Sequence, residues 1–196
     1  MRTVVRSLVV IVATTLVFGF AYPAIMTGFA SVAFPGKSTG SLIHDKNGRT
    51  VGSRLAAQAF TWPRYFHERP SATVPAYNAG ATTFDNLGPT SPDLATFVHD
   101  QAAAILKLEQ PYNPGLTIHD IPVDAVTTSA SGIDPDISPA YAQLQARRVA
   151  AIRHLPLATV QTLIKRNTDA RSLGFLGEPG VNVLELNVAL DKLGGK

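Results

Sequence analysis

The chain has 196 residues, no cysteine, 45% hydrophobic side chains and a formal charge of +3. That length carries one domain with its own core plus a short appendage, and the missing cysteines exclude disulfides, thiolate metal sites and cysteine nucleophiles. Arg2 and Arg6 supply two of the charges, leaving 15 basic and 14 acidic side chains in residues 37–196; they are scattered without a basic, aromatic-lined face, so no nucleic-acid partner is expected.

Residues 7–36 run for 30 positions without Asp, Glu, Lys, Arg or His. About 20 helical residues cross a hydrocarbon layer of about 30 Å, so residues 1–36 read as a transmembrane anchor in membrane lipid, its span at about residues 8–28. Phe18, Phe20, Tyr22 and Phe29 gather toward the far end, and Pro23 suggests a helix end near the interface. Arg2 and Arg6 flank the near end, which places residues 1–6 on the cytoplasmic side and everything after about residue 36 outside. A cleavable leader ending near Ser31-Val32-Ala33 is the alternative; its apolar core would exceed the roughly 7–15 residues usual for leaders. Cleavage would leave a periplasmic binding module without an anchor.

Beyond residue 36, Gly and Pro punctuate short apolar segments, which predicts an α+β domain of short strands and helices, with long helices only after residue 138. Residues 41–53 read as a hairpin around Asn47-Gly48, a pair that accepts positive φ at both turn positions. Residues 55–60 and 94–108 are predicted helices, the second with Leu94, Phe97, Val98, Ala102, Ile105 and Leu108 on one side; residues 61–93 form an irregular excursion. Ser138 caps a helix that starts at Pro139, with Tyr141, Leu144, Val149 and Ile152 buried and Gln145 and Arg148 flanking that stripe. A helix over 157–166 buries Val160, Leu163 and Ile164. After the GEPG turn, VNVLELNVALDKL reads as a short strand passing into a C-terminal helix.

Several fragments imitate catalytic motifs and fail on a physical requirement. Gly36-Lys37-Ser38 resembles the tail of a P-loop, but Ser31 stands at the leading glycine and a lipid-length helix precedes it. Asp45-Lys46-Asn47-Gly48-Arg49-Thr50 departs at two positions from the phosphorylated-aspartate motif of P-type ATPases. The stretch from Asp134 to Ser138 begins like a calcium loop, but Pro139 occupies the glycine position. The five histidines lack metal-ligand spacing, so no metal site is expected. Ser129 and Ser131 lack the nucleophile-elbow context that a secreted hydrolase would need.

Five blocks in order carry a resemblance: Tyr65-Phe66 with Arg69-Pro70-Ser71-Ala72; Asp85-Asn86-Leu87-Gly88-Pro89-Thr90; Ser131-Gly132-Ile133-Asp134-Pro135 with Ile137-Ser138-Pro139; Gln145 with Arg148-Val149-Ala150; and Val181 to Asn187. Behind a single N-terminal span they resemble the C subunit of the Kdp-type potassium-transporting ATPase. Asp136 and Thr83-Phe84 depart from its pattern, and no role is carried to them. The resemblance implies a non-catalytic subunit of a potassium uptake pump, partnered by a channel-like subunit and a P-type ATPase subunit. It further implies a catalytic chaperone that raises the ATPase subunit's affinity for ATP, no cofactor of its own, and Gln145 in nucleotide contact. Small residues such as Ala13, Gly19 and Gly28 would pack partner helices. Ser131, Gly132, Asp134, Gln145 and Arg148 form the expected partner-facing surface; the alternative is that Gly132 and Pro135 shape a turn and Gln145 caps a core edge.

Overall fold

The structure, a computed structural model, describes residues 1–193; residues 194–196, the end of the expected 37–196 domain, lie outside the described residues. The chain divides into two compact units, Met1–Leu42 and Ile43–Lys196.

The first unit is dominated by one helix, Arg2–Ala33, of 32 residues, none of it buried within the chain and all of it long and apolar enough to cross a membrane. Pro23 does not end this helix, contrary to expectation: the helix runs ten residues further, to Ala33. The turns from Thr15 to Ala21 widen into a π-helix immediately before Tyr22-Pro23. A π-helical stretch opens the backbone ladder where the proline ring and its missing N–H would clash with a regular α-helix. Thr14 Oγ1, donating to the carbonyl of Val10 at 2.8 Å, satisfies one acceptor at the entry to that stretch.

The second unit is mixed α+β. Strands β1 (Leu42–His44) and β2 (Thr50–Ser53) form the expected hairpin. Its turn takes positive φ only at Gly48 (+77°), not at Asn47. Asp45 Oδ1 instead gathers the amides of Asn47 and Arg49, at 2.8 and 2.9 Å, an arrangement that fixes the turn without a left-handed asparagine. The helix expected over 55–60 does not form. Its donors are drawn elsewhere: the Ala57 amide bonds the carbonyl of Ile133 at 2.9 Å, and Gln58 Nε2 bonds that of Val51 at 2.8 Å. No helix or strand interrupts residues 61–91; the irregular excursion expected over 61–93 ends two residues early, where the next helix begins at Pro92.

Helix Pro92–Glu109 has 18 residues, so a long helix does precede residue 138. Its predicted side is the inner one, with Ala102 and Ile105 buried and Val98 packed against the core. Helices Pro139–Ile152 and Leu157–Arg166 pack against each other. The first opens on Ser138, whose Oγ accepts from the Tyr141 amide at 3.0 Å. A small antiparallel sheet of order β3 (Asp136–Ile137), β5 (Gly180–Asn182), β4 (Thr168–Asp169) lies in the same unit. Strand β5 passes directly into helix Val183–Lys192, capped by the Asn182 side chain on the Glu185 amide at 3.1 Å. Phe66, Ile137, Val149, Val160, Val181 and Leu186 meet in the core.

Candidate functional site

On helix Pro139–Ile152 the expected stripe is displaced. Tyr141 and Val149 are buried, Leu144 and Ile152 only half so, while Gln145 and Arg148, expected at the flanks, are 1% and 0% exposed. The reason is the chain opposite them. Residues 62–69 run without regular structure from the exposed Trp62 to the buried Phe66 and Glu68, and their backbone groups need partners that no neighbouring strand supplies.

Side chains supply them. Gln145 Oε1 accepts from the His67 amide at 2.7 Å, and its Nε2 donates to the His67 carbonyl at 3.1 Å. Asn187, from the C-terminal helix, does the same to Phe66: the amide donates to Oδ1 and Nδ2 donates to the carbonyl, both at 2.9 Å. Two adjacent residues are thus held by two side-chain amides, each imitating a strand edge. Arg148 Nη1 donates to the carbonyls of Pro63 and, at 2.9 Å, Tyr65. Arg153 Nε donates to the carbonyl of Arg64 at 2.8 Å, and its guanidinium lies 4.8 Å from the Tyr65 ring centre.

Arg148 is the keystone of this clamp. Its Nε donates to Glu109 Oε1 at 2.7 Å and its Nη2 to Gln145 Oε1 at 2.8 Å, all inside the core. A buried guanidinium of this kind is tolerated because several of its donors are engaged and its charge is matched. Burial pushes the Glu109 carboxyl above its usual range, and the Arg148 charge and hydrogen bond oppose that shift. His67 is pushed down to about 4, by burial first and by Arg148 second, so its ring is neutral at pH 7. Burial drives Glu68 well above the usual carboxylate range, with Asp134 and Asp136 adding to it.

The SGIDP loop lies against the other end of the same excursion. Gly132 has φ +71°, and a Cβ there would stand 2.6 Å from Thr73 Cγ2 and 2.9 Å from the Thr83 carbonyl, so only glycine fits. Ser71 Oγ donates to the Gly132 carbonyl at 2.6 Å. Asp134 Oδ2 accepts from Arg69 Nη1 at 3.0 Å, and its Oδ1 from the Asp136 amide at 3.1 Å. Ser131 and Ser129 both serve the turn, their hydroxyls accepting from the amides of Ile133 and Asp134. Of the five residues expected at a partner surface, Ser131 is exposed, Asp134 is half-buried, and Gly132, Gln145 and Arg148 are buried. For Gln145 to reach a nucleotide, its bonds to His67 and Arg148 would have to break.

Glu109, Arg153 and Asn187 escaped the sequence reading as members of this arrangement. A signal existed for two of them: Glu109 falls four residues after Ile105 on a buried helical side, and Asn187 lies one helical turn from Leu184 and Leu190. Polar side chains on an apolar stripe announce buried partners.

The chain matches over residues 4–192 the family model described as KdpC: K+-transporting ATPase, c chain. It is 48% identical over 188 aligned residues to a potassium-transporting ATPase KdpC subunit of Methylococcus capsulatus, covering 95% of this chain and 96% of that relative. A KdpC subunit of Burkholderia vietnamiensis is 49% identical over 201 aligned positions, covering 100% and 99%. One of Caulobacter vibrioides is 50% identical over 177, covering 90% and 86%.

Proposed function

The chain belongs to the KdpC family of potassium-transporting ATPase subunits, and from that premise we propose that it is the accessory subunit that stabilises such a pump and modulates ATP binding by its P-type ATPase subunit. The observation that carries this reading is the helix Arg2–Ala33, unburied by the chain itself along its whole length. Lipid and partner helices are the solvent it needs, and a Cβ on Gly28 would meet open space, so a neighbouring helix can approach closely there.

In this proposal the N-terminus is cytoplasmic and residues 37–196 are periplasmic, with a channel-like subunit and the ATPase subunit as partners in a bacterial inner membrane. The SGIDP loop meets the partners through Ser131 and Asp134, while Gly132, Gln145 and Arg148 hold that surface from beneath. An influence on cytoplasmic ATP then passes through the span or the channel-like subunit as a coupling free energy between two sites.

Affinity purification of the intact chain from bacterial membranes in mild detergent tests the proposal. We expect the ATPase and channel-like subunits to co-purify, and the chain to retain residues 1–36 by mass spectrometry. Recovery of a trimmed chain beginning near Phe34, free in the periplasmic fraction, would overturn it in favour of a binding module. Omitting the chain from the assembled pump should raise the ATP concentration needed for half-maximal hydrolysis.

A further inference from the structure

Strands β4 and β5 are joined by the turn 170–179, ARSLGFLGEP, and its apolar side chains face outward: Leu173 is 83% exposed, Phe175 69% and Leu176 50%. Three large hydrophobic groups on one short turn are not covered by the chain's own core. Part of their backbone is paired within the turn. Ser172 and Leu176 exchange two backbone hydrogen bonds of 2.9 Å each, the Gly174 amide bonds the Arg171 carbonyl at 3.0 Å, and Arg171 closes the base on Glu178 at 2.6 Å. These bonds fix the shape of the turn and hold its three apolar side chains outward.

The surroundings of the turn select between a protein and a bilayer. At its base Arg54 serves both Asp169 and Glu185, Arg171 serves Glu178, and among the described residues no salt bridge reaches Asp136. Asp136 is instead held by Asn182 Nδ2 at 3.0 Å, directly beside Gly180. The apolar tip therefore stands in an acidic collar, which an anionic lipid surface repels, and the tip carries no Trp or Tyr of the kind that seats at headgroups. The collar runs on into a cavity of about 450 Å³ that joins Glu178 and Gly180 to Arg69 and Asp134, so the turn is continuous with the SGIDP loop.

We propose that Leu173, Phe175 and Leu176 are an anchor that inserts into an apolar pocket with a basic rim on a protein subunit of the pump. This rests on the function proposed above. A few apolar side chains seated in a pocket and ringed by polar groups is the usual form of an energetic hot spot within a larger interface.

The chain lacks cysteine, so Phe175→Cys gives it a single thiol that takes a maleimide photocrosslinker before the labelled chain is assembled into the pump. Irradiation should join the chain to another protein subunit, with less than a tenth of that yield from Lys165→Cys on the exposed part of helix Leu157–Arg166. Leu173→Ser with Phe175→Ser should lower the recovered partner subunits at least tenfold while leaving the chain's melting temperature unchanged. Adducts with lipid alone, or no adduct and no lost partner in a preparation that does contain the pump subunits, would overturn the inference. Absence of those subunits from the wild-type preparation would refute the proposed function itself, and the anchor with it.

Discussion

Two irregular segments of the second unit, 62–69 and 170–179, solve the same problem in opposite ways. Both lack the partner strand that would pair their backbone. The first borrows its partners from helices, through Gln145, Arg148, Arg153 and Asn187, and is locked in the core. The second pairs with itself across Ser172 and Leu176 and leaves its large side chains in solvent. Irregular backbone is thus compatible with either a rigid interior or a free surface, and what decides is which groups satisfy its amides and carbonyls. Tyr65, Phe66, Gln145, Arg148 and Asn187, from three of the blocks that carry the family resemblance, take part in the first solution.

The largest break in this comparison is removal of the keystone. Arg148→Met strands the Glu109 carboxylate and frees the carbonyls of Pro63 and Tyr65; loss of one partner of a buried pair costs about 3–5 kcal/mol. Denaturation of the intact chain in micelles, followed by the fluorescence of its one tryptophan, Trp62, measures it. Adding Glu109→Leu should return a good part of that loss, because no unpaired charge is then left in the core.

A smaller break separates the two amides. Gln145→Ala and Asn187→Ala each unpair one backbone N–H and one C=O, at about 1–3 kcal/mol per group left unpaired, and Gln145→Ala also removes the acceptor of Arg148 Nη2. Because Phe66 and His67 adjoin, the double substitution should cost less than the sum, and a double-mutant cycle reads the difference.

Protonation sharpens the comparison from another side. His67 has a folded pKa of about 4 against 6.5 unfolded. Between those values the unfolded chain binds the extra proton, so this group's contribution to stability falls as pH drops from 6.5 to 4. Glu68 has the opposite sign: its folded pKa is raised above 4.5, so its contribution falls as pH rises above 4.5. His67→Gln should flatten the acid side of a stability-against-pH curve, and Glu68→Gln should gain most at the alkaline side. The smallest effect on stability belongs to the turn: Phe175→Ser, at an exposed site, should shift it by less than about 0.5 kcal/mol.

Local signals made much of this fold legible. The helix over 157–166, the Ser138 cap and the strand passing into a helix after residue 180 follow from periodicity and capping residues, and the structure has all three. Residues 55–60 look helical by composition, yet tertiary partners for Ala57 and Gln58 override that preference. Pro23 reads as a stop because the widening of the preceding turns cannot be seen in the letters. Gln145 and Arg148 stand out as polar residues beside an apolar stripe, but their central place depends on a non-helical segment nearly 80 positions earlier. No local period encodes that contact.

Amide hydrogen exchange on the intact chain, alone in micelles and within the assembled pump, tests the central claim most directly. The amides of Phe66 and His67 should be strongly protected already in the isolated chain, and those around Phe175 should gain protection only on assembly. Rapid exchange at Phe66 and His67 in the isolated chain, with protection appearing there only when partners bind, would contradict the account, because the clamp would then be part of the interface and not of the domain's interior.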